Sequence, residues 1–337
     1  MNITICGGGS LGHVCAGVLS SREDVSVSIL TTHPDRWAEE LVVTDEDGRT
    51  YKGTPVCITD DPSVCIPSAE MVLFCLPGFA IREQIERIRP YLSLSTSLGS
   101  IVSSTGFFFF AHELLPANQA LFGFQRTPFI ARTTEYGHSA RLLGYKKSVS
   151  VATENIPDVE SFRQLIERLF LTPADLLSSF YEAALTNSNP ILHTGRLYAM
   201  WSDWKGETTT ECRRFYAEWD TPSAEMIIRM DEEFQHLLAV LPIDKSRIPT
   251  LLSYYEQPDA ESLAAKLRSI PAFVPILAPM KQVPAGWIPD FSSRYFTEDF
   301  PFGLRFIHDL AHQHNIPSPT IDIVYEWGLR MIENNVL

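Results

Sequence analysis

The 337-residue chain contains no apolar run that approaches the roughly 20 residues needed for a membrane-spanning helix. Basic residues are also scarce: 27 lysines and arginines face 41 acidic residues, which gives a formal net charge of −14. A surface this negative repels nucleic-acid phosphates and anionic lipid. We therefore expect no nucleic-acid and no membrane partner, and an anionic ligand would need a locally positive pocket.

Paired cysteines are missing as well. Five of the six cysteines lie within the first 75 residues, and no two have the CxxC spacing of a zinc or redox site. This pattern argues against a disulfide framework and is typical of reduced, buried thiols. The first residues lack the basic stretch of a signal peptide and soon reach glycine. Together these features predict a cytoplasmic protein.

The first half of the sequence alternates strand-like and helical patterns. Asn2–Cys6 is β-branched and runs into glycines, Met71–Leu76 is continuously apolar, and Ala80–Leu92 has helical spacing. A short apolar run without alternation is typical of a strand buried on both faces of a parallel sheet. The fold class predicted is α/β, with a Rossmann-type doubly wound parallel sheet in residues 1–172.

The second half is dominated by helical patterns, and we predict an all-α second domain in residues 173–337. One of its predicted helices covers Asp175–Thr186. The segment Pro271–Pro289 contains five prolines, so it cannot be a helix, and it is predicted to be a functional loop or a wrap-around segment.

A glycine-rich loop follows the first predicted strand and precedes a helical pattern. Gly7, Gly9 and Gly12 fit G-x-G-x-x-G, with Ser10 and Leu11 between the last two glycines. In this context the motif predicts a dinucleotide site, with the pyrophosphate resting on the N–H groups at the helix start. A methyltransferase is the alternative. Leu76 and Pro77, which end the buried strand, suit the nicotinamide of a dinucleotide at least as well as the ligand of a methyltransferase.

The end of the second strand bears on the choice of cofactor. An acidic residue about 20 residues past the loop would favour NAD, but this sequence has Thr31, Thr32 and His33 there, with Arg36 close behind. Hydroxyls and a cation suit a 2′-phosphate. We predict NADP(H) in preference to NAD(H).

His193 follows Asn189-Pro190, a pair that predicts a helix capped by Asn189 with proline at its first position. Asn187, just before the cap, is available to bind backbone or ligand. Farther along, Arg294 and Asp299 stand five residues apart, and spacing alone leaves Asp299 as a simple helix cap. Arg132 follows an apolar run and is a further candidate for contact with substrate.

A possible metal pair is also present. His308 and His312 are four residues apart on a helical pattern, which is the spacing of two metal ligands. No third ligand is nearby in the sequence, so a solvent-facing pair is favoured and no metal is predicted.

The sequence resembles the opine dehydrogenases of the octopine/nopaline dehydrogenase type over nearly its whole length. The matching stretches are GGGSLG at residues 7–12, residues 72–80, 125–132 and 144–147, NxNPIxH at 187–193 and RYxxEDxPxGL at 294–304. The resemblance implies that His193 is the catalytic acid/base, that Asp299 orients it, and that Arg294 holds a substrate carboxylate. Residues 195–289 match nothing we can assign, and the substrate-selecting residues are expected there.

The resemblance implies an NAD(P)H-dependent oxidoreductase that condenses an amino acid with a 2-keto acid and reduces the imine with a hydride. A homodimer is possible. One alternative is a keto acid reductase of ketopantoate-reductase-like architecture without an amine substrate, although the predicted helix at 175–186 lacks the lysine such enzymes use. Another is a non-catalytic NADP-binding protein.

Overall fold

The computed structural model describes residues 1–334, and the chain divides into two compact units, Met1–Ala184 and the part from Leu185 onwards. This division lies twelve residues beyond the boundary predicted at residue 172. The physical reason is that residues 174–176 form a strand of the first unit's sheet instead of opening a helix. Within residues 1–334, no helix combines the length and apolar character required to cross a membrane.

The first unit contains twelve strands within its described residues. They are β1 (Asn2–Cys6), β2 (Ser26–Leu30), β3 (Leu41–Asp45), β4 (Thr50–Gly53), β5 (Cys57–Thr59), β6 (Met71–Phe74), β7 (Ser97–Ser100), β8 (Leu121–Phe124), β9 (Phe129–Glu135), β10 (Ser139–Tyr145), β11 (Val149–Glu154) and β12 (Ala174–Leu176). Its helices are α1 (Ser10–Ser20), α2 (Pro62–Cys65), α3 (Gly78–Ile88), α4 (Phe107–Leu114), α5 (Val159–Phe170) and α6 (Phe180–Ala184).

The main sheet has the strand order β12-β11-β8-β7-β6-β1-β2-β5. All neighbours are parallel except β11 and β8, so the predicted doubly wound sheet is confirmed with an antiparallel step near one edge. All four residues of β6 are buried, as its unbroken apolar run predicts. The order reverses at β1, and ligands of such sheets bind where the order reverses, at the carboxyl ends of the strands.

A second, four-stranded sheet with the order β4-β3-β10-β9 packs on α1, and sequence reasoning missed it. Glycines allow this close packing: a Cβ on Gly17 of α1 would lie 2.5 Å from the Val43 side chain of β3. The small sheet and the main sheet share one continuous apolar core, which includes Ile5, Val14 and Ala140.

The second unit is predominantly helical, as predicted. Its described helices are α7 (Asn189–Trp201), α8 (Thr221–Leu238), α9 (Leu251–Tyr255), α10 (Ala260–Ser269), α11 (Arg294–Thr297), α12 (Arg305–Gln313) and α13 (Pro319–Asn334), with a π-helical turn at Phe300–Leu304. The prediction for Asp175–Thr186 is wrong, because that stretch contains β12 and only the short helix α6.

The proline-rich segment adds a hairpin to the otherwise helical second unit, formed by β13 (Met280–Val283) and β14 (Gly286–Pro289). The part of the segment before the hairpin pairs with residues 213–215 through backbone hydrogen bonds, from Phe215 N–H to Ile276 O at 2.9 Å and from Ala278 N–H to Arg213 O at 2.8 Å. The segment is therefore an ordered strap on the helical unit.

Candidate active site

The glycine loop makes a tight turn at Gly7, whose φ of +118° favours glycine. The N–H of Gly7 donates to the Leu30 carbonyl at 3.2 Å, which holds the loop at the carboxyl edge of β1 and β2. A Cβ on Gly12 would collide with the Gly7 carbonyl, so only glycine lets α1 approach the loop this closely. The loop thus has the turn and the close helix approach that a dinucleotide requires.

His13 holds this loop, and sequence reasoning missed it. Its Nδ1 lies 3.0 Å from the Gly9 carbonyl, and its Nε2 accepts the Gly137 N–H at 2.6 Å. Because the Gly137 N–H can only donate, Nδ1 carries the proton. Burial lowers the pKa of His13, which favours the neutral ring. A Cβ on Gly9 would meet no atom within 4 Å, so the loop leaves open space for a ligand.

A cavity of about 370 Å³ opens beside the glycine loop. Five of the predicted cofactor residues line it, namely Gly7, Thr31, Thr32, Leu76 and Pro77. The lining also includes residues that sequence reasoning did not select, which are Gly8, Leu30, Phe79, Ala80, Gln84, Arg87 and Tyr136. The cavity lies where the strand order reverses, which is the expected position of a nucleotide in this fold.

The remaining predicted cofactor residues lie around this cavity or support the loop. The Ser10 hydroxyl accepts the Thr133 N–H at 3.0 Å, and Leu11 packs on the apolar core. His33 and Arg36 belong to the exposed turn after β2. The Arg36 guanidinium lies 4.5 Å from the ring centre of Tyr136, so it reaches the cavity wall through that ring.

Among the residues of the described chain that line the cavity, the charged one is Arg87 on α3, and none carries a carboxylate. The Arg87 guanidinium donates to the Asp60 carbonyl at 2.8 Å and to the Gln84 side chain at 3.1 Å. These bonds fix a cation at the cavity wall. The chain's net negative charge therefore does not extend to this pocket.

The helical unit places His193 between two oxygen-bearing side chains. His193 Nδ1 lies 2.8 Å from Asp299 Oδ2, and Nε2 lies 2.8 Å from the Tyr216 hydroxyl. A carboxylate can only accept, so Asp299 selects the tautomer with a proton on Nδ1 and leaves Nε2 free to gain or lose one. His193 is 9% exposed, which leaves it a narrow access to solvent. This arrangement is suited to general acid/base chemistry.

Close backbone packing brings Asp299 to His193. Pro301 and the π-helical turn follow Asp299, and Gly303 in that turn lies against Pro190 at the start of α7. A Cβ on Gly303 would lie 2.7 Å from Pro190 Cγ, so glycine is needed for this approach. The side chain of Asp299 makes no hydrogen bond to the backbone of the turn, so its predicted alternative as a simple helix cap is not seen.

The start of α7 differs in detail from the prediction. Ser188, not Asn189, occupies the position before the helix, because Asn189 already has helical geometry. The Asn187 side-chain carbonyl accepts the Asn189 N–H at 3.2 Å, so Asn187 supplies the cap from one residue earlier. Among residues 1–334 its amide NH₂ has no hydrogen-bond partner, so it is available to a ligand.

Tyr216 is the site residue that sequence reasoning missed. Its ring stacks on Phe273 of the proline-rich strap at a centroid distance of 4.3 Å and on Trp219 at 5.6 Å. Burial, with smaller contributions from Tyr295, Tyr255 and Asp299, raises the pKa of Tyr216 far above its ordinary value, so its hydroxyl keeps its proton. An aromatic-rich stretch is more often core than site, and no spacing rule could have singled this tyrosine out.

Arg294, at the start of α11, is exposed, and its guanidinium has no hydrogen-bond or ion-pair partner among residues 1–334. The adjacent Tyr295 packs against the His193 ring at 4.7 Å. The element that carries Arg294 thus also contacts the histidine. Arg132 belongs to the first unit, on the edge strand β9, where it is exposed and donates to the Ala131 carbonyl at 3.0 Å.

Comparison with known proteins shows which proteins the chain is similar to. Residues 176–332 match the family profile described as the NAD/NADP octopine/nopaline dehydrogenase alpha-helical domain. An opine dehydrogenase of Haliotis discus hannai is 28% identical over 370 residues, which cover 100% of this chain and 91% of the relative. The solved octopine dehydrogenase with NADH and L-arginine has a TM-score of 0.86 at 26% identity, over 99% of this chain and 90% of that one.

The second unit carries the alpha-helical domain of the octopine/nopaline dehydrogenase family, and the whole chain is similar to opine dehydrogenases.

One further relative and two further solved structures extend the comparison. An octopine dehydrogenase of Mizuhopecten yessoensis is 28% identical over 98% of this chain and 90% of the relative. Yersinopine dehydrogenase with NADP⁺ bound has a TM-score of 0.70 at 12% identity, covering 100% of this chain and 92% of that one, and shares the fold. So does a ketopantoate reductase of the PanE/ApbA family from Ralstonia eutropha JMP134, with a TM-score of 0.64 at 15% identity over 100% of both chains.

These similarities support the predicted family, fold class and enzyme class, which is that of NAD(P)-dependent oxidoreductases acting on CH–NH groups. The glycine loop and its cavity fit a nucleotide, because the close helix start and the open space at Gly9 leave room for a pyrophosphate. Gly7, Gly9, Gly12 and Thr31 are the residues that would hold it.

Proposed function

We propose that this protein joins the amine of an amino acid to the carbonyl of a 2-keto acid and reduces the resulting imine to a secondary amine dicarboxylate. The observation that carries the proposal is the chain of hydrogen bonds from Asp299 through His193 to the Tyr216 hydroxyl. An imidazole that is oriented on one nitrogen and exchangeable on the other suits a reaction that needs a proton near neutral pH.

His193 is proposed to donate the proton with which the oxygen of the keto acid leaves as water. Attack of the amine nitrogen on the keto carbon gives a carbinolamine, and its hydroxyl departs as water once it receives a proton. The imidazolium of His193 donates that proton from Nε2, while Asp299 stabilises the imidazolium through Nδ1–H. Solvent then reprotonates the ring. The bound dinucleotide supplies the hydride that completes the reduction.

Arg294 binds a substrate carboxylate. Its exposed guanidinium, with no protein partner among residues 1–334, is able to grip a carboxylate through two parallel hydrogen bonds and so orient the reacting carbon. Asn187, with its amide NH₂ available, and Arg132 are proposed as further substrate contacts. The substrates are therefore small, anionic molecules, an amino acid and a 2-keto acid.

NADP(H) is the proposed cofactor in preference to NAD(H). The cavity presents Thr31 and Thr32 where an NAD-selective site carries an acid, and Arg36 and Arg87 supply positive charge at its wall. A carboxylate there would repel a 2′-phosphate, and this cavity has none among its lining residues in the described chain.

The cofactor proposal predicts that Arg36→Ala and Arg87→Ala weaken the binding of NADPH more than the binding of NADH, because NADH lacks the 2′-phosphate that these cations attract. Fluorescence titration of both nucleotides measures the two dissociation constants. We expect wild type to bind NADPH at least about tenfold more tightly, which corresponds to one charge-assisted hydrogen bond. Equal affinities in wild type would overturn the preference.

Two further proposals concern the protein in the cell. A cytoplasmic location is supported by six cysteines that all remain free thiols, as a reducing compartment would keep them. The possible homodimer expected from the sequence stays a prediction, which sedimentation equilibrium of the purified enzyme checks.

The deciding experiment measures NADPH oxidation with a pool of 2-keto acids, with and without a pool of amino acids. Oxidation that requires the amino acids supports reductive condensation. Oxidation that is equally fast without them supports the keto acid reductase, whose fold this chain shares. Nucleotide binding without oxidation in either mixture would point to a non-catalytic NADP-binding protein.

A further inference from the structure

The fold brings a third metal-ligating group to the histidine pair on α12. His308 and His312 are one turn apart on that helix, and Asp322 of α13 lies opposite both. One ligand atom from each of the three side chains lies within 4.8 Å of the other two. The expectation that no third ligand is nearby is therefore wrong, because Asp322 lies on the next helix, ten residues after His312, and packing of the two helices brings it to the histidines.

Both imidazoles direct the same nitrogen at the same carboxylate oxygen. His312 Nε2 lies 3.0 Å from Asp322 Oδ1, and His308 Nε2 lies 3.8 Å from it. Donor atoms around a tetrahedral Zn²⁺ stand about 3.3 Å apart, given metal–ligand distances of roughly 2.0–2.1 Å. The two histidine–aspartate separations lie on either side of that value, and the third pair of ligand atoms lies within 4.8 Å, so the three groups form a cluster of the size that one metal ion needs.

Supporting bonds orient two of the three ligands. His308 Nδ1 lies 2.8 Å from Asp309 Oδ1, which leaves Nε2 of that ring as the nitrogen available to an ion. The Ser318 hydroxyl donates to Asp322 Oδ1 at 2.9 Å. Carboxylates behind metal-bound histidines, and hydrogen bonds to metal-bound carboxylates, are the usual outer partners of such sites.

We propose that His308, His312 and Asp322 bind one divalent transition-metal ion, with Zn²⁺ as the reference ion, and that this ion links α12 to α13. Two imidazoles and one carboxylate suit Zn²⁺, Ni²⁺ or Cu²⁺, whereas Mg²⁺ and Ca²⁺ prefer all-oxygen sites. The side chain of His308 is 20% exposed, that of His312 is 56% exposed and that of Asp322 is 31% exposed, so water can complete the coordination of the ion.

The test titrates the untagged, full-length enzyme with Zn²⁺ in competition with a chromophoric chelator, which reports the number of bound ions and their affinity. His312→Ala and Asp322→Asn should each lower the affinity for one Zn²⁺ ion per chain by tenfold or more. His236→Ala, which removes an exposed histidine from α8, is the matched control and should retain that affinity. An ion count and affinity unchanged in both site variants would overturn the proposal.

Two further measurements test whether Zn²⁺ binds the folded protein and whether the site prefers Zn²⁺ to Mg²⁺. Zn²⁺ should raise the melting temperature of wild type and of His236→Ala by a few degrees but not that of the site variants, because the ion binds only the folded form. Circular dichroism checks that the variants fold. Mg²⁺ should not displace Zn²⁺ at equal concentration, and displacement would mark an ordinary charged surface cluster and overturn the proposal.

Discussion

At the scale of single residues, His193 depends on two partners that come from distant parts of the sequence. Asp299 is 106 residues away along the chain and Tyr216 is 23 residues away. Each holds one ring nitrogen, so the three side chains behave as a unit, and their substitutions should not be additive.

Replacing His193 by alanine should lower kcat by about 10²- to 10⁴-fold, the usual loss for a positioned acid/base. The nucleotide is proposed to bind the first unit, so NADPH affinity should stay within twofold of wild type. Steady-state kinetics and a fluorescence titration measure the two quantities. Unimpaired turnover in the variant would remove His193 from the mechanism.

Replacing Tyr216 by phenylalanine removes the hydroxyl at Nε2 and keeps the ring stacked on Phe273. We expect kcat to fall by up to about tenfold, the worth of one hydrogen bond, with an altered pH profile of kcat. Tyr254→Phe, at a tyrosine that is 59% exposed, is the matched control. In the His193→Ala background the same change should have no effect on kcat, and a tenfold loss there would contradict coupling through the histidine.

At the scale of elements, the π-helical turn determines the position of Asp299 relative to α7. Pro301 lacks the N–H of a regular helix, and Gly303 gives the turn its close approach to Pro190. Departures of this kind from α-helical geometry are common at functional sites. The backbone thus places the carboxylate, and the aromatic residues beneath it, Phe296 and Phe300, stack at 5.5 Å to support the turn.

Gly303→Ala should push this turn away from α7. The added Cβ would lie 2.7 Å from Pro190 Cγ, so we expect a loss of about 1–3 kcal/mol of stability and a lower kcat. Thermal unfolding and steady-state kinetics measure both. In an Asp299→Asn background the loss of stability should persist while the further loss of kcat disappears. A further loss of kcat there would show that the glycine acts by another route.

Much of the element pattern was predictable from local sequence. The strand Asn2–Cys6 has the predicted bounds, because its apolar, β-branched run reflects burial directly. The small sheet of β3, β4, β9 and β10 was missed, since its central pair joins β3 to β10 across about 100 residues of sequence. The hairpin in the proline-rich strap was missed because the five prolines of that segment indicated a loop.

At the scale of the whole molecule, stability should depend on a buried carboxyl in α8. Asp231 is 6% exposed and accepts the Leu251 N–H at 2.8 Å, and burial raises its pKa to about 6. Between the ordinary pKa of an aspartate, about 4, and pH 6, the carboxyl of Asp231 keeps its proton in the folded chain and loses it in the unfolded chain. The free energy of unfolding therefore falls as the pH rises from about 4 to 6.

Asp231→Asn removes this titration and keeps an oxygen that accepts the Leu251 N–H. The free energy of unfolding of the variant should increase relative to that of wild type as the pH rises, and the difference should level off at about 1–3 kcal/mol above pH 6. Urea unfolding between pH 4 and pH 8 measures the difference. Glu225→Gln, at an exposed carboxyl on the same helix, is the matched control for the loss of one charge. A difference that does not change with pH would contradict the assignment.

The sequence by itself determined the doubly wound sheet, the glycine loop and the resemblance to opine dehydrogenases, because these depend on local periodicity and on motifs contiguous in the chain. It also supplied His193, Asp299 and Arg294 as candidates. Only the tertiary structure placed Tyr216 on His193, His13 on the glycine loop and Asp322 beside the two histidines of α12. These contacts join residues far apart in the chain or hidden in core-like patterns, and side-chain packing between elements leaves no local periodicity to read.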